Sequence, residues 1–282
     1  MTTTQDRPEA QGRDTPGLRS TGQVTARRAG FARDVASVAT RALRQIPREP
    51  EAIVPALVVP VFFFAINIGA LQDFAERGAP EGFDFKAFQL PVAIIFAVTG
   101  VSRAGALVND ITGGYFDRLL MTPISRTALL LGLMVADFAL VVALCVPVVL
   151  LGFAVGVTFE TGVLGVLAFL LLAGLWGLAF TGFPYLIALR TGSPAAVNSS
   201  FILFFPFAFL TTSFLPKDAL TSWLSTIATY NPVTYLLEGL RALISEGWET
   251  GDLLGALGAV AAVMAVSFTM ALAALRRRVR QG

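Results

Sequence analysis

Histidine is absent from this 282-residue chain, and cysteine occurs once, as Cys145. Without imidazole there is no Ser-His nucleophile, no histidine general base and no histidine-ligated zinc. A single thiol cannot close an internal disulfide, so Cys145, inside an apolar run, reads as a small buried or lipid-facing side chain. Lysine is nearly missing too. Of 21 basic residues all but Lys86 and Lys217 are arginine, and neither lysine follows a glycine. The G-x-x-x-x-G-K-[ST] phosphate loop is therefore absent, which excludes a P-loop ATPase. Charge is scarce at 14% of residues, where a soluble domain carries about 25%.

What fills the chain instead is apolar: 55% hydrophobic residues, with a mean hydropathy of +0.71. Several windows exceed eighteen apolar residues, the length of a membrane-crossing helix. The runs are continuously apolar, not alternating, which argues against a β-barrel. The expected fold is an all-α membrane protein with six transmembrane helices, at about residues 52–71, 89–108, 127–156, 163–189, 195–214 and 252–275. The third is long for a bilayer of about 30 Å and is expected to tilt or project. Glycines at 251, 255 and 258 are candidates for close helix contact.

Three parts of the chain are expected: a disordered tail over 1–26, an interfacial helix over 27–50 and a transmembrane domain over 51–278. Residues 1–26 hold almost no large apolar side chains. From 27 to 46, Phe31, Val35, Val38, Ala39, Ala42, Leu43 and Ile46 share one helical face, with Arg28, Arg33, Arg41 and Arg44 mostly on the other. Such a basic amphipathic helix suits the interface of an anionic leaflet, or a partner subunit. Pro47 and Pro50 then interrupt it.

Orientation follows from the basic residues. With both termini inside, 17 of the 21 fall on inner segments, and only Arg77, Lys86, Lys217 and Arg241 fall outside. The termini are therefore expected in the cytoplasm. The outer segment 215–251 places Leu220, Trp223, Leu224, Ile227 and Tyr230 at helical spacing. Asn231-Pro232 then reads as an N-cap and first-turn proline opening a second short helix.

Between the second and third expected spans lies a polar, amphipathic insert, residues 109–126: NDITGGYFDRLLMTPISR. Eighteen residues are far more than a turn needs. The mix of charges, two glycines and a Leu119–Leu120 pair suggests a short docking helix that leaves the membrane, touches a partner and returns.

Residues 113–137, GGYFDRLLMTPISRTALLLGLMVAD, resemble the cytoplasmic coupling segment of ABC-2 type permeases, and are most similar to the daunorubicin-resistance type of drug exporter. Residues 214–244, FLPKDALTSWLSTIATYNPVTYLLEGLRALI, resemble the same family's region before its last span. Together with the span pattern the likeness covers roughly 30–278. It implies the membrane half of an ATP-driven exporter: two copies forming the pathway, with two copies of a separate P-loop ATPase beneath. ATP would bind to that subunit and this chain would bind no cofactor. A coupling helix would run from Gly113 to Thr122. The coupling residues implied are Asp110, Gly113, Gly114, Tyr115, Phe116, Asp117, Arg118, Leu119, Leu120, Thr122 and Pro123. The family often has Glu where this chain has Asp110 or Asp117, which keeps the charge and shortens its reach.

Asn67, Asn198, Phe201 and Phe205 are candidate pathway residues. Asp137 is the single acid inside a span; it is either a proton or substrate site, or a structural partner of Arg103 or another polar group. The expected cargo is a hydrophobic or amphipathic drug, with a lipid or lipid-linked glycan as the alternative. An ion-coupled secondary transporter is the rival of a different class. An intramembrane serine enzyme at Thr191-Gly192-Ser193 would lack a base. The expected place is the plasma membrane, among lipid, with no nucleic-acid partner.

Overall fold

In hydrocarbon each backbone N–H and C=O must be satisfied within its own segment, so apolar runs of this length fold as helices. The computed structural model describes residues 30–48, 50–77, 82–99, 101–115, 118 and 125–281, without the side chains of 48, 50–52, 126, 201, 203, 218, 279 and 281. The expected tail, 1–26, lies outside these. Eleven α-helices occur among the described residues: α1 (Phe31–Gln45), α2 (Pro50–Arg77), α3 (Phe85–Val98), α4 (Ala104–Thr112), α5 (Arg126–Ala154), α6 (Gly162–Thr191), α7 (Pro194–Ser199), α8 (Phe204–Phe209), α9 (Ser222–Tyr230), α10 (Pro232–Arg241) and α11 (Thr250–Gln281). There is no strand among them.

Four helices are long and apolar enough to cross a membrane: Ile53–Arg77, Thr127–Ala154, Gly162–Thr191 and Thr250–Arg278. The second and fifth expected spans are not continuous helices. The stretch 89–108 is divided: α3 stops at Thr99, which turns extended, and α4 starts after Arg103. The stretch 195–214 is divided into α7, a 3-10 segment (Ser200–Leu203) and α8. Pro206 has no N–H to give and falls in the first turn of α8, where none is needed, so a fresh helix can start there.

α5 has 29 residues, about 43 Å at 1.5 Å per residue, more than the bilayer's ~30 Å. Its N-terminal half is the seat of α1. Val38, Ala39 and Ala42 are buried there, and a Cβ on Gly132 would lie 2.6 Å from that of Val38. The apolar face of α1 therefore meets protein, while Phe31 and Leu43 stay exposed.

α6 is the hub, packed on both α5 and α11. Gly182 permits this: a Cβ there would meet the Ser267 backbone at 2.6 Å. Of the glycines expected to give close contact, Gly255 does so against α10, where a Cβ would lie 3.3 Å from the Tyr235 ring, while Gly251 and Gly258 face open space.

The core divides into two apolar clusters. One holds Phe64, Leu90, Ile94, Val141, Phe169, Trp176, Phe204 and Leu236. The other holds Val38, Leu107, Val108, Leu130, Met134, Leu186 and Ala271. Between them runs a buried polar layer of Thr99, Arg103, Asp137, Thr181 and Ser267.

Candidate functional site

The polar layer is built around the gap between α3 and α4. Leaving the helix at Thr99, Val101 and Ser102 frees backbone groups inside the bundle, and each must find a partner. Asp137, on α5 and fully buried, supplies one: its Oδ1 accepts from the Arg103 N–H at 2.8 Å. Its Oδ2 accepts from the Tyr185 hydroxyl of α6 at 2.7 Å. On the other side of the gap Trp176 Nε1 donates to Thr99 Oγ1 at 2.9 Å. The Arg103 guanidinium reaches back to α1, where Nη2 donates to Gln45 Oε1 at 3.2 Å. Asp137 thus holds the start of α4 in place, and both its oxygens are engaged.

Beside the gap opens a cavity of about 660 Å³ between α2, α3, α4, α5 and α7. Its apolar lining includes Val59, Phe96 and Leu144; its polar lining includes Ser102, Arg103, Asn109 and Asn198. Among the expected pathway residues, Asn198 lines this space. Asn67 does not: it is buried on α2 and donates to the Phe63 carbonyl of its own helix. Phe205 stacks on Phe209 and is 41% exposed, away from the cavity lining. The Phe201 side chain lies outside the described residues.

α4 runs without interruption from the gap into the polar insert, and covers the insert as far as Thr112. Gly113 and Gly114 end it. The Gly113 N–H donates to the Asn109 carbonyl, and Gly114 adopts φ +69°, a left-handed geometry that glycine accepts without strain. Just before this turn, Asp110 takes both its carboxylate oxygens to Arg41 of α1 at 3.0 Å. Tyr115 follows, its ring 4.1 Å from the same guanidinium. Arg118 is exposed. Phe116, Asp117, Leu119, Leu120, Thr122 and Pro123 lie outside the described residues. Arg41 was legible only as one of several arginines on a polar face; nothing in its spacing marks Asp110 as its partner.

At the opposite end, α10 pins the irregular chain that follows α8. Asn231 caps α10 through its Oδ1, which accepts from Val233 N–H, and gives its Nδ2 to the Phe207 and Leu210 carbonyls at 2.8 and 2.9 Å. Arg241 donates to the Phe88 carbonyl and to the Oγ1 and carbonyl of Thr212, with its guanidinium 3.5 Å from the Phe88 ring centroid. Burial draws its pKa down to about 9, which leaves it protonated at neutral pH. The two residues satisfy the Phe207, Leu210 and Thr212 carbonyls, at or beyond the end of α8, that no helix serves.

The chain is 24% identical over 235 residues to the daunorubicin resistance ABC transporter permease protein DrrB1 of Streptomyces coeruleorubidus, covering 80% of this chain and 81% of that one. It is 26% identical over 224 residues to a Cyanophora paradoxa chain named as the transport permease ycf38, covering 77% and 76%. A Mycobacterium tuberculosis H37Rv chain named as the doxorubicin resistance ABC transporter permease protein DrrC is 20% identical over 218 residues, covering 77% and 79%. The model of the ABC-2 type transporter family matches residues 33–244, three quarters of the chain. This multi-pass membrane protein belongs to the ABC-2 type transporter family, as a permease subunit whose ATPase is a separate chain.

Proposed function

We propose that this chain is the membrane half of an ATP-driven exporter for hydrophobic or amphipathic drugs, coupled to its ATPase through residues 109–126. Two copies of it and two of the ATPase form the complex. The chain crosses the plasma membrane six times, the divided stretches 89–108 and 195–214 serving as the second and fifth crossings, with both termini in the cytoplasm.

The observation that carries this reading is the continuity of α4. One end of α4 borders the cavity through Gly105, Ala106 and Asn109, and the other runs into the insert, tied to α1 by Arg41 and Asp110. A push on the insert is therefore delivered to the cavity wall along a nine-residue helix. The gap at 99–103 lets that helix pivot without bending α3. Only a difference in ATPase affinity between the two positions of α4 can drive the change. The mixed lining of the cavity suits an amphipathic cargo. The relatives named for daunorubicin and doxorubicin resistance point to the same cargo class.

The test has two arms. Deleting residues 115–120 should abolish export and loss of the ATPase should accompany it in pull-downs from native membranes, with membrane insertion intact. Ala106→Trp, which obstructs the cavity, should abolish export while the ATPase still co-purifies. Normal export by the deletion would overturn the coupling assignment, and normal export by Ala106→Trp would overturn the pathway.

A further inference from the structure

α11 keeps much of its surface uncovered, with Leu254, Leu257, Val266 and Met270 exposed along it. At its C-terminal end Thr269, Leu272, Ala273, Arg276, Arg277 and Arg280 line a groove of about 450 Å³. Their spacing of 3, 1, 3, 1 and 3 places them on one helical face. Arg278, off that face, is already used: its Nη1 donates to the Leu189 carbonyl at 3.0 Å, in the last turn of α6. The three groove arginines form no ion pair among the described residues.

We propose that this groove binds one anionic phospholipid. Arg276, Arg277 and Arg280 hold its phosphate, and an acyl chain runs along Leu272 and Ala273 toward the exposed strip of Val266 and Met270. The proposal rests on α11 crossing the membrane, and does not depend on cargo or ATPase. Charge and polarity decide the occupant. An apolar strip that ends in three guanidinium groups is complementary to an amphiphile with a negative head, and each fork can take two phosphate oxygens. A second copy fits this face poorly. A two-fold axis along the membrane normal would set Arg276 and Arg277 against their own counterparts, with like charges opposed.

The experiment is a titration of the full-length chain in neutral detergent with phosphatidylglycerol or phosphatidylcholine, read by native mass spectrometry. Phosphatidylglycerol should bind saturably and more tightly than phosphatidylcholine. The triple substitution R276Q/R277Q/R280Q should weaken phosphatidylglycerol roughly tenfold or more, and leave phosphatidylcholine unchanged. R7Q/R13Q/R19Q removes the same charge elsewhere and should bind as the unsubstituted chain does. R276K/R277K/R280K, which keeps charge and solubility, should bind with intermediate strength if the forks matter. Equal weakening by both glutamine triples would mean diffuse attraction and would overturn the site. So would displacement of the lipid by millimolar inorganic phosphate, or a change of oligomeric state in place of lipid loss.

Discussion

Arg41 and Asp110 lie 69 positions apart in the chain and meet at 3.0 Å, one guanidinium nitrogen touching both carboxylate oxygens. The pair fastens α1 to the far end of α4, and the Tyr115 ring lies 4.1 Å from the same cation. Both side chains remain partly accessible, at 36% and 24%, so the pair contributes roughly 0.2–1 kcal/mol to stability. Its weight lies in position: it decides where the insert leaves the bundle.

Reversing one member should therefore harm transport more than folding. Arg41→Asp or Asp110→Arg alone is expected to reduce export severalfold with thermal unfolding in detergent nearly unchanged. The double swap should recover most of the loss. Two defective single variants with no recovery in the double would show that the residues act separately.

Asp137 should behave as a structural group. Asp137→Leu leaves the Arg103 N–H and the Tyr185 hydroxyl without their acceptor, at about 1–3 kcal/mol for each buried donor. Thermal unfolding of that variant should move down clearly. Asp137→Asn keeps one acceptor oxygen, and should lose less stability and retain export. Abolished export in a fully stable Asp137→Asn protein would return the residue to a proton-carrying role.

The α6–α11 contact should tolerate no added carbon at Gly182. Gly182→Ala places a methyl group 2.6 Å from the Ser267 backbone, and overpacking of this kind costs about 1–3 kcal/mol. Gly258→Ala, on α11 and facing open space, should be neutral or slightly stabilising. Thermal unfolding of the two variants side by side decides the matter.

Glu238 on α10 gives a pH dependence of definite sign. Burial, then the neighbouring Asp252 carboxylate, raises its pKa, against the weaker opposite pull of Lys217 and Arg241. A carboxyl raised in the folded state favours folding while it is protonated, and that contribution is lost as pH rises through its raised pKa. Glu238→Gln should therefore flatten the decline in stability on the alkaline side of the ordinary carboxyl range. An unchanged pH profile in that variant would remove Glu238 as its source.

Much of this architecture was readable from local pattern. Apolar runs located the long helices, since helix is what an apolar run must form in a bilayer. Asn231-Pro232 marked a helix start, and Asn231 does accept from the Val233 N–H. The second and fifth apolar stretches misled for the same reason: hydropathy measures how well a residue suits hydrocarbon and is blind to where the backbone leaves the helix. Thr99, Val101 and Ser102 are apolar enough, or small enough, to pass within a span.

The sequence by itself determined that this is an all-helical membrane chain with a polar insert and no phosphate loop, because those properties reside in composition and in short periodic runs. Only the tertiary structure decided the partners of Asp137, Arg41 and Arg241. Each of them answers a backbone carbonyl, an N–H or a charge contributed by a helix tens of residues away. Such a pairing depends on how the helices cross, and no spacing along the chain encodes it. Gly182 shows the same division: it is one of 26 glycines in the sequence, and its close approach to Ser267 exists only once α6 and α11 have packed.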